Sequence, residues 1–206
     1  GCPTISRGGP SRIIIEMSMS ALDIAARVER FVRDCIVPHE RDPRWGAHGP
    51  SEAMVVDMRD KARAAGLLTP HIDEAGHHRS HRDTAAILRA AGLSPLGPVA
   101  LNVAAPDEGN MYLLGRVATP EQKARFLTPL LAGQARSAFF MTEPADEGGA
   151  GSDPSMMQTM ASQDGDDWVI NGRKAFITGA DGARIGIIMA RTEQGATMFL
   201  VDLPDP

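Results

Sequence analysis

Two segments hold the residue types that could do chemistry. Phe139 to Asp153 reads FFMTEPADEGGAGSD, and Trp168 to Ala180 reads WVINGRKAFITGA. The first sets the hydroxyls of Thr142 and Ser152 around a glycine-rich loop, whose backbone can approach a bound group more closely than one carrying Cβ atoms. The second offers an aromatic ring and a hydroxyl at Phe176 and Thr178. On an extended strand, residues two apart project to the same face.

Several other chemistries are excluded. Gly148 to Asp153 fails the G-x-G-x-x-G pattern, and a helix rather than a strand is expected before it, so a nicotinamide-type dinucleotide fold is rejected. His77, His78 and His81 lie in a polar stretch without an accompanying Cys or a helical i, i+4 His pair, so no metal site is assigned. Asp164, Asp166 and Asp167 resemble the start of a calcium loop, but Ala175 stands where the bidentate Glu should be; they read as a turn before a strand. Taken alone, Thr142-Glu143-Pro144 reads as a turn after a helix, with Glu143 solvated or paired with a nearby Arg. Phe139, Phe140 and Met141, taken singly, read as core.

The elements that must position these residues change character along the chain. Ile24, Val28, Phe31, Val32 and Cys35 recur at helical spacing after Ser20, which with Asp23 resembles a capping box, and this helix ends near Pro38. A second helix starts at a Ser51 cap, turns Met54, Val55, Met58, Ala62 and Ala65 to one face, and stops at Gly66. A third runs from Asp83 to Gly92. Thr119-Pro120-Glu121-Gln122 supplies a cap, a proline suited to the first helical position and a Gln reaching back. Phe126 and Leu127 face the core, Pro129 bends or restarts that helix, and Gly133 ends it.

Beyond Gln134 the pattern becomes short apolar runs bounded by turns. Asn171-Gly172 predicts a two-residue hairpin between Trp168–Ile170 and Arg173–Thr178. Two further strands are expected over Ile185–Ala190 and Thr197–Val201, joined through Glu193-Gln194-Gly195. The fold class is therefore α+β, a helical domain over 19–136 followed by the first part of an antiparallel β-domain over 137–206. Residues 1–18 are expected to be a disordered or extraneous tail, with translation beginning at Met17 or Met19.

Composition narrows the partners. The 206 residues are 43% hydrophobic and carry a formal net charge of −5. No cluster of Lys and Arg marks a nucleic-acid surface. The aliphatic run Ile13–Ile15 is far shorter than the roughly 20 residues a bilayer span requires. The two cysteines, Cys2 and Cys35, propose neither a disulfide framework nor a zinc site, and a reducing cytoplasm is the expected compartment.

Thr-Glu-Pro, the glycine-rich loop ending in Ser152-Asp153, and the Asn-Gly segment ending in Thr178 together resemble the two flavin-binding signatures of the acyl-CoA dehydrogenase family. SPLGPVALNVAAPDEGNM (Ser94 to Met111) and TPEQKARFLTPLLAGQARSAFFMTEP (Thr119 to Pro144) resemble that family's helical region. The resemblance runs from about Ser20 to the end of the chain. It implies an N-terminal helical domain, a middle β-domain and a C-terminal four-helix domain, of which this chain supplies the first and about half of the second.

The resemblance also implies FAD as cofactor. Phe139, Met141 and Thr142 would contact the isoalloxazine, with the Thr142 hydroxyl or backbone at its pyrimidine edge. Gly151 and Ser152 would meet the pyrophosphate, Phe176 would pack against the ring, and Thr178 would donate near N5. The implied reaction is α,β-dehydrogenation of an acyl-CoA thioester, with an electron-transfer flavoprotein as acceptor and a homodimer or homotetramer as assembly. The family's base is a Glu of the C-terminal domain, so no catalytic residue is assigned here. This chain alone is expected to retain FAD weakly or not at all and to turn nothing over.

Alternatives are an acyl-CoA oxidase or flavin monooxygenase on the same scaffold, or a short non-catalytic binding module. One departure stands out. Ala145 to Ala150 make a longer spacer than the family's between Pro144 and Gly151. Asp146 and Glu147 within it are expected to bulge into solvent.

Overall fold

The computed structural model describes residues 20–46, 49–73, 75–145 and 150–204. The expected tail over 1–18 and the acidic pair Asp146 and Glu147 lie outside the described residues. The chain forms two compact units, one made of Gly1–Ala104 with Leu131–Gly133 and the other of Ala105–Leu130 with Gln134–Pro206.

In the first unit, helix α1 spans Ala21–Phe31 and continues through a π-turn at Val32–Ile36 into a 3-10 turn at Val37–Arg41. The Ser20 hydroxyl accepts from the Asp23 N–H at 3.2 Å, which satisfies one of the N–H groups a helix start leaves open. A short ribbon, β1 (Trp45–Gly46) with β2 (Gly49–Pro50), precedes α2 (Glu52–Ala64), capped at Ser51 as its sequence predicts. Helix α3 covers His81–Ala91 under a Ser80 cap, and α4 covers Gly97–Ala100. The apolar stripes of these helices meet in one core around Val28, Val32, Ile36, Met54, Met58 and Ile87, each with no exposed surface. No helix of the described residues is long and apolar enough to cross a membrane.

The second unit begins with α5 (Asp107–Val117) and α6 (Pro120–Gln122), where the Thr119 capping box forms in both directions. The helix passes through a π-turn at Lys123–Leu127, which buries Phe126 and Leu127, and restarts at Pro129 within α7 (Thr128–Leu131).

A five-stranded sheet follows, built from β3 (Ser137–Phe140), β4 (Met160–Asp164), β5 (Asp167–Asn171), β6 (Ile185–Thr192) and β7 (Gly195–Asp202). Strand β6 is its axis. All eight of its residues pair antiparallel with β7, so its other edge is shared by β3, parallel over Ile185–Ile188, and β4, parallel at Met160↔Arg191. The sheet is therefore mixed, with two antiparallel hairpins and parallel pairing at β3.

Three expectations change here. A strand, β3, and not a helix stands before the glycine-rich loop. Its four residues are too few for alternation to separate them from the end of a helix. The hairpin lies one strand earlier than Asn171-Gly172 predicts. Strand β4 pairs with β5 from Asp164↔Asp167, leaving Gly165-Asp166 as the turn, so the Asp164–Asp167 run is that turn. Arg173–Thr178 is not a strand, and Phe176 takes a φ of 57° in a bend. Phe176 and Thr178 therefore do not share one face of one strand.

Candidate functional site

All seven residues expected to line the site belong to the second unit, and its backbone bonds state which of them are brought together. Asp107, buried at the start of α5, accepts from the Ser137 N–H at 2.7 Å and its hydroxyl at 2.6 Å, and the Asn110 side-chain amide donates to the same hydroxyl. This fixes the start of β3, from which half-buried Phe139 projects. Met141 and Thr142 follow directly. The Thr142 carbonyl accepts from the Ala175 N–H at 3.0 Å, and the Glu143 N–H donates to the Gly151 carbonyl at 3.0 Å. The segments carrying Thr142, Gly151–Ser152 and Phe176 are thus bonded to one another through residue 142, 143 or 175.

Glu143 is the hub of this arrangement, with 2% of its surface exposed. Its Oε1 accepts from the Thr159 N–H at 2.8 Å, the Thr159 hydroxyl at 2.6 Å and Lys174 Nζ at 3.1 Å. Its Oε2 accepts from the Gln158 N–H at 2.8 Å and the Ala150 N–H at 3.3 Å. Lys174 Nζ also donates to the Met141 carbonyl at 2.9 Å. Burial alone would raise the carboxyl pKa, but the hydrogen bonds from Thr159, Gln158 and Lys174 outweigh it and hold it down to about 2. Glu143 is neither solvated nor paired with an arginine.

Gly172 serves the same cluster. A Cβ there would lie 2.4 Å from Thr159 Oγ1 and 2.7 Å from Thr159 Cα, so only glycine admits this approach. That close packing explains an Asn-Gly pair outside a hairpin turn. Gly151 meets a different demand. Its φ is 59°, and among the described residues nothing lies within 4 Å of where its Cβ would be, so glycine is required there by the backbone conformation and not by close packing.

Of the seven residues the sequence singled out, Ser152, Phe176 and Thr178 are exposed and the other four are half-buried. Phe176 is 91% exposed, an extreme value for a large apolar ring. Ser152 and Thr178 are exposed and Thr142 half-buried, and the hydroxyls of these three take no hydrogen-bond partner among the described residues. Gly179, next to Thr178, packs near the Ser137 carbonyl, which brings that turn to the start of β3. An exposed aromatic face and three hydroxyls without a partner among the described residues are groups that could hold a flavin dinucleotide, whose ring needs a surface and whose polar edge and diphosphate need donors. Phe140 is half-buried rather than fully in the core.

The profile of the acyl-CoA dehydrogenase N-terminal domain matches residues 19–134, and that of the middle domain matches 138–206. The chain belongs to the acyl-CoA dehydrogenase family. The Mycobacterium tuberculosis protein named "Probable acyl-CoA dehydrogenase FadE2" is 37% identical, over 92% of this chain and 49% of its own length. The solved structure of a glutaryl-CoA dehydrogenase from Mycobacterium smegmatis, in complex with FADH2, superposes with a TM-score of 0.70 at 27% identity, over 90% of this chain and 46% of that one. The FAD complex of PigA gives 0.73 at 26%, over 94% and 50%. The chain therefore spans about half the length of these relatives, or less.

Sequence reasoning missed Glu143, Lys174, Thr159 and the Asp107–Ser137 contact. The available signal was weak. Lys174 sits between Arg173 and Ala175 in a stretch that reads as an outward-facing strand, and nothing local distinguishes a solvated Glu from a buried one.

Proposed function

We propose that this chain contributes the flavin-binding wall of an FAD-dependent enzyme that dehydrogenates an acyl-CoA thioester between its α and β carbons. The supporting observation is that Met141–Thr142, Gly151–Ser152 and Ala175–Phe176 are bonded into one cluster whose outward groups are an exposed ring and uncommitted hydroxyls. FAD, when bound, supplies the hydride acceptor. Phe176 offers its face to the ring system, and Phe139 and Met141 supply further apolar contact. Thr142 satisfies the polar edge of the ring. Gly151 lets the backbone come close to the diphosphate, and Ser152 donates to it. Thr178 holds a hydroxyl donor where negative charge develops during reduction, and a preorganised donor there stabilises that charge.

In this reading the division falls between a helical domain over 19–136 and a β-domain over 137–206, and no residue here acts as the proton-abstracting base. An acyl-CoA is the substrate, an electron-transfer flavoprotein the acceptor, a homo-oligomer the assembly and the cytoplasm the compartment. Titration of the chain with FAD, followed by quenching of flavin fluorescence and by saturation-transfer NMR at millimolar flavin, tests the central claim. Weak, saturable binding is expected, lowered about tenfold by Phe176→Ala. Binding that Phe176→Ala and Thr178→Ala both leave unchanged would remove the wall from the site. Slow reoxidation of the reduced flavoprotein by oxygen is expected of a dehydrogenase; fast reoxidation would favour an oxidase.

A further inference from the structure

Glu143 and Lys174 have almost no surface to offer a ligand. Their side chains are 2% and 7% exposed, and they meet at 3.1 Å. Yet every segment that carries a flavin-facing group is tied to one of them. Glu143 follows Thr142 directly and reaches Ala150, beside Gly151 and Ser152. It also holds Gln158 and Thr159, and Thr159 packs against Gly172 at the entrance to the Phe176 segment. Lys174, two residues before Phe176, reaches back to the Met141 carbonyl. The sheet backs the cluster, because the Arg191 N–H of β6 donates to the Thr159 carbonyl at 2.8 Å and the Arg191 guanidinium to the Met157 carbonyl at 3.2 Å.

We infer that the buried Glu143–Lys174 pair is a positioning clamp, which sets the mutual placement of the Thr142, Ser152 and Phe176 segments and thereby the affinity and electronic surroundings of the flavin, without touching it. This rests on the flavin reading above. A loop without regular ladder bonds has few ways to hold its side chains within a fraction of an ångström, and supporting contacts supply that precision. Five donors converging on one carboxylate provide it here. Each oxygen faces donors only, so an amide in place of the carboxylate must turn its NH2 either toward Thr159 and Lys174 or toward Ala150 and Gln158. Glu143→Gln therefore opposes donor to donor on one side, even though its shape is nearly unchanged.

The experiment compares the unaltered chain with Glu143→Gln, Lys174→Met and Lys174→Arg at a temperature where all remain folded. Three quantities are read, namely amide hydrogen exchange without flavin, FAD affinity, and the position of the bound-flavin absorption band. In Glu143→Gln the amides of Ala150, Gln158, Thr159 and Ala175 are expected to exchange about tenfold faster or more, while the β6–β7 amides keep their protection. FAD affinity is expected to fall by about tenfold or more, with a shifted band. Lys174→Arg, which keeps a charged donor, is expected to retain more affinity than Lys174→Met. Unchanged exchange at the four amides overturns the clamp. Faster exchange with unchanged affinity and band overturns the positioning role and leaves a purely structural one. If the unaltered chain takes up no FAD even at millimolar concentration, the flavin reading falls and the positioning role falls with it, a result visible before any variant is made.

Discussion

Glu143 and His71, one in each unit, are buried ionisable side chains in opposite surroundings. Glu143 receives five hydrogen bonds, one of them from a buried ammonium. His71 has no exposed surface, and neither ring nitrogen finds a hydrogen-bond partner among the described residues. Its nearest aromatic neighbour, His78, meets it edge-on at 5.3 Å between ring centres. The carboxylate keeps its charge, with a pKa held down to about 2 by its donors. The imidazole loses its charge, with a pKa pushed down to about 4 first by burial and then by His78. One site organises its surroundings through a charge, and the other holds a neutral polar group without a hydrogen-bond partner among the described residues.

The sharpest way to break this comparison is to remove the carboxylate altogether. Glu143→Leu leaves a buried ammonium without its counter-charge, held only by the Met141 carbonyl among the described residues, and takes the acceptor from four further donor groups, and should cost the second unit about 3–5 kcal/mol in denaturant unfolding. A loss below about 1 kcal/mol would mean that water answers those donors and that the cluster is not held by charge.

Acid should then separate the two sites by pH. Both groups have folded pKa values below their unfolded ones, so each contributes stability above its unfolded value and loses it as pH falls through its folded one. For His71 the window runs from 6.5 down to about 4. For Glu143 it runs from 4.5 down to about 2. On acidification, amides near His71 should lose protection first, by up to about 3 kcal/mol. Those of Gln158 and Thr159 should hold until below pH 4.5. Simultaneous loss in one pH range would erase the distinction.

Gly172→Ala probes the packing that supports the carboxylate rather than its charge. The new methyl would meet Thr159 at both its side chain and its backbone, and Thr159 is bonded to Glu143. A cost of about 1–3 kcal/mol is expected from such crowding, with faster exchange at the Thr159 amide. A neutral substitution would show that the 172 segment is free to move away.

How much of this was legible in the sequence differs between the units. In the first, caps and 3.6-residue periodicity predict α1, α2 and α3 to within a few residues, because each helix is specified by its own neighbours along the chain. In the second, β6 and β7 are legible as apolar runs around a turn. Strand β4, whose five residues bury only Ala161, carries no such run and was missed. The site residues were legible through motif resemblance, but their placement was not. The strand expected over Arg173–Thr178 gives way to an irregular segment because its contacts are a buried Lys174 and a single bond from Ala175 to Thr142, both made with residues more than thirty positions away. His71 gave no signal at all, lying just before the polar stretch that drew attention to His77, His78 and His81.

The smallest effect should come from the other half of the comparison. Because His71 makes no hydrogen bond among the described residues, His71→Phe removes an unanswered polar group and keeps a ring of similar shape. Replacing such a group with an apolar one is close to neutral or stabilising. A change within about 1 kcal/mol is expected at pH 7, where His71 is already neutral, and the loss of protection between pH 6.5 and about 4 should vanish from the first unit. A large destabilisation at pH 7 would mean that the imidazole has a partner in solution, such as an ordered water. His71 would then belong with Glu143 among the organised sites, and the contrast would fail at its simpler end.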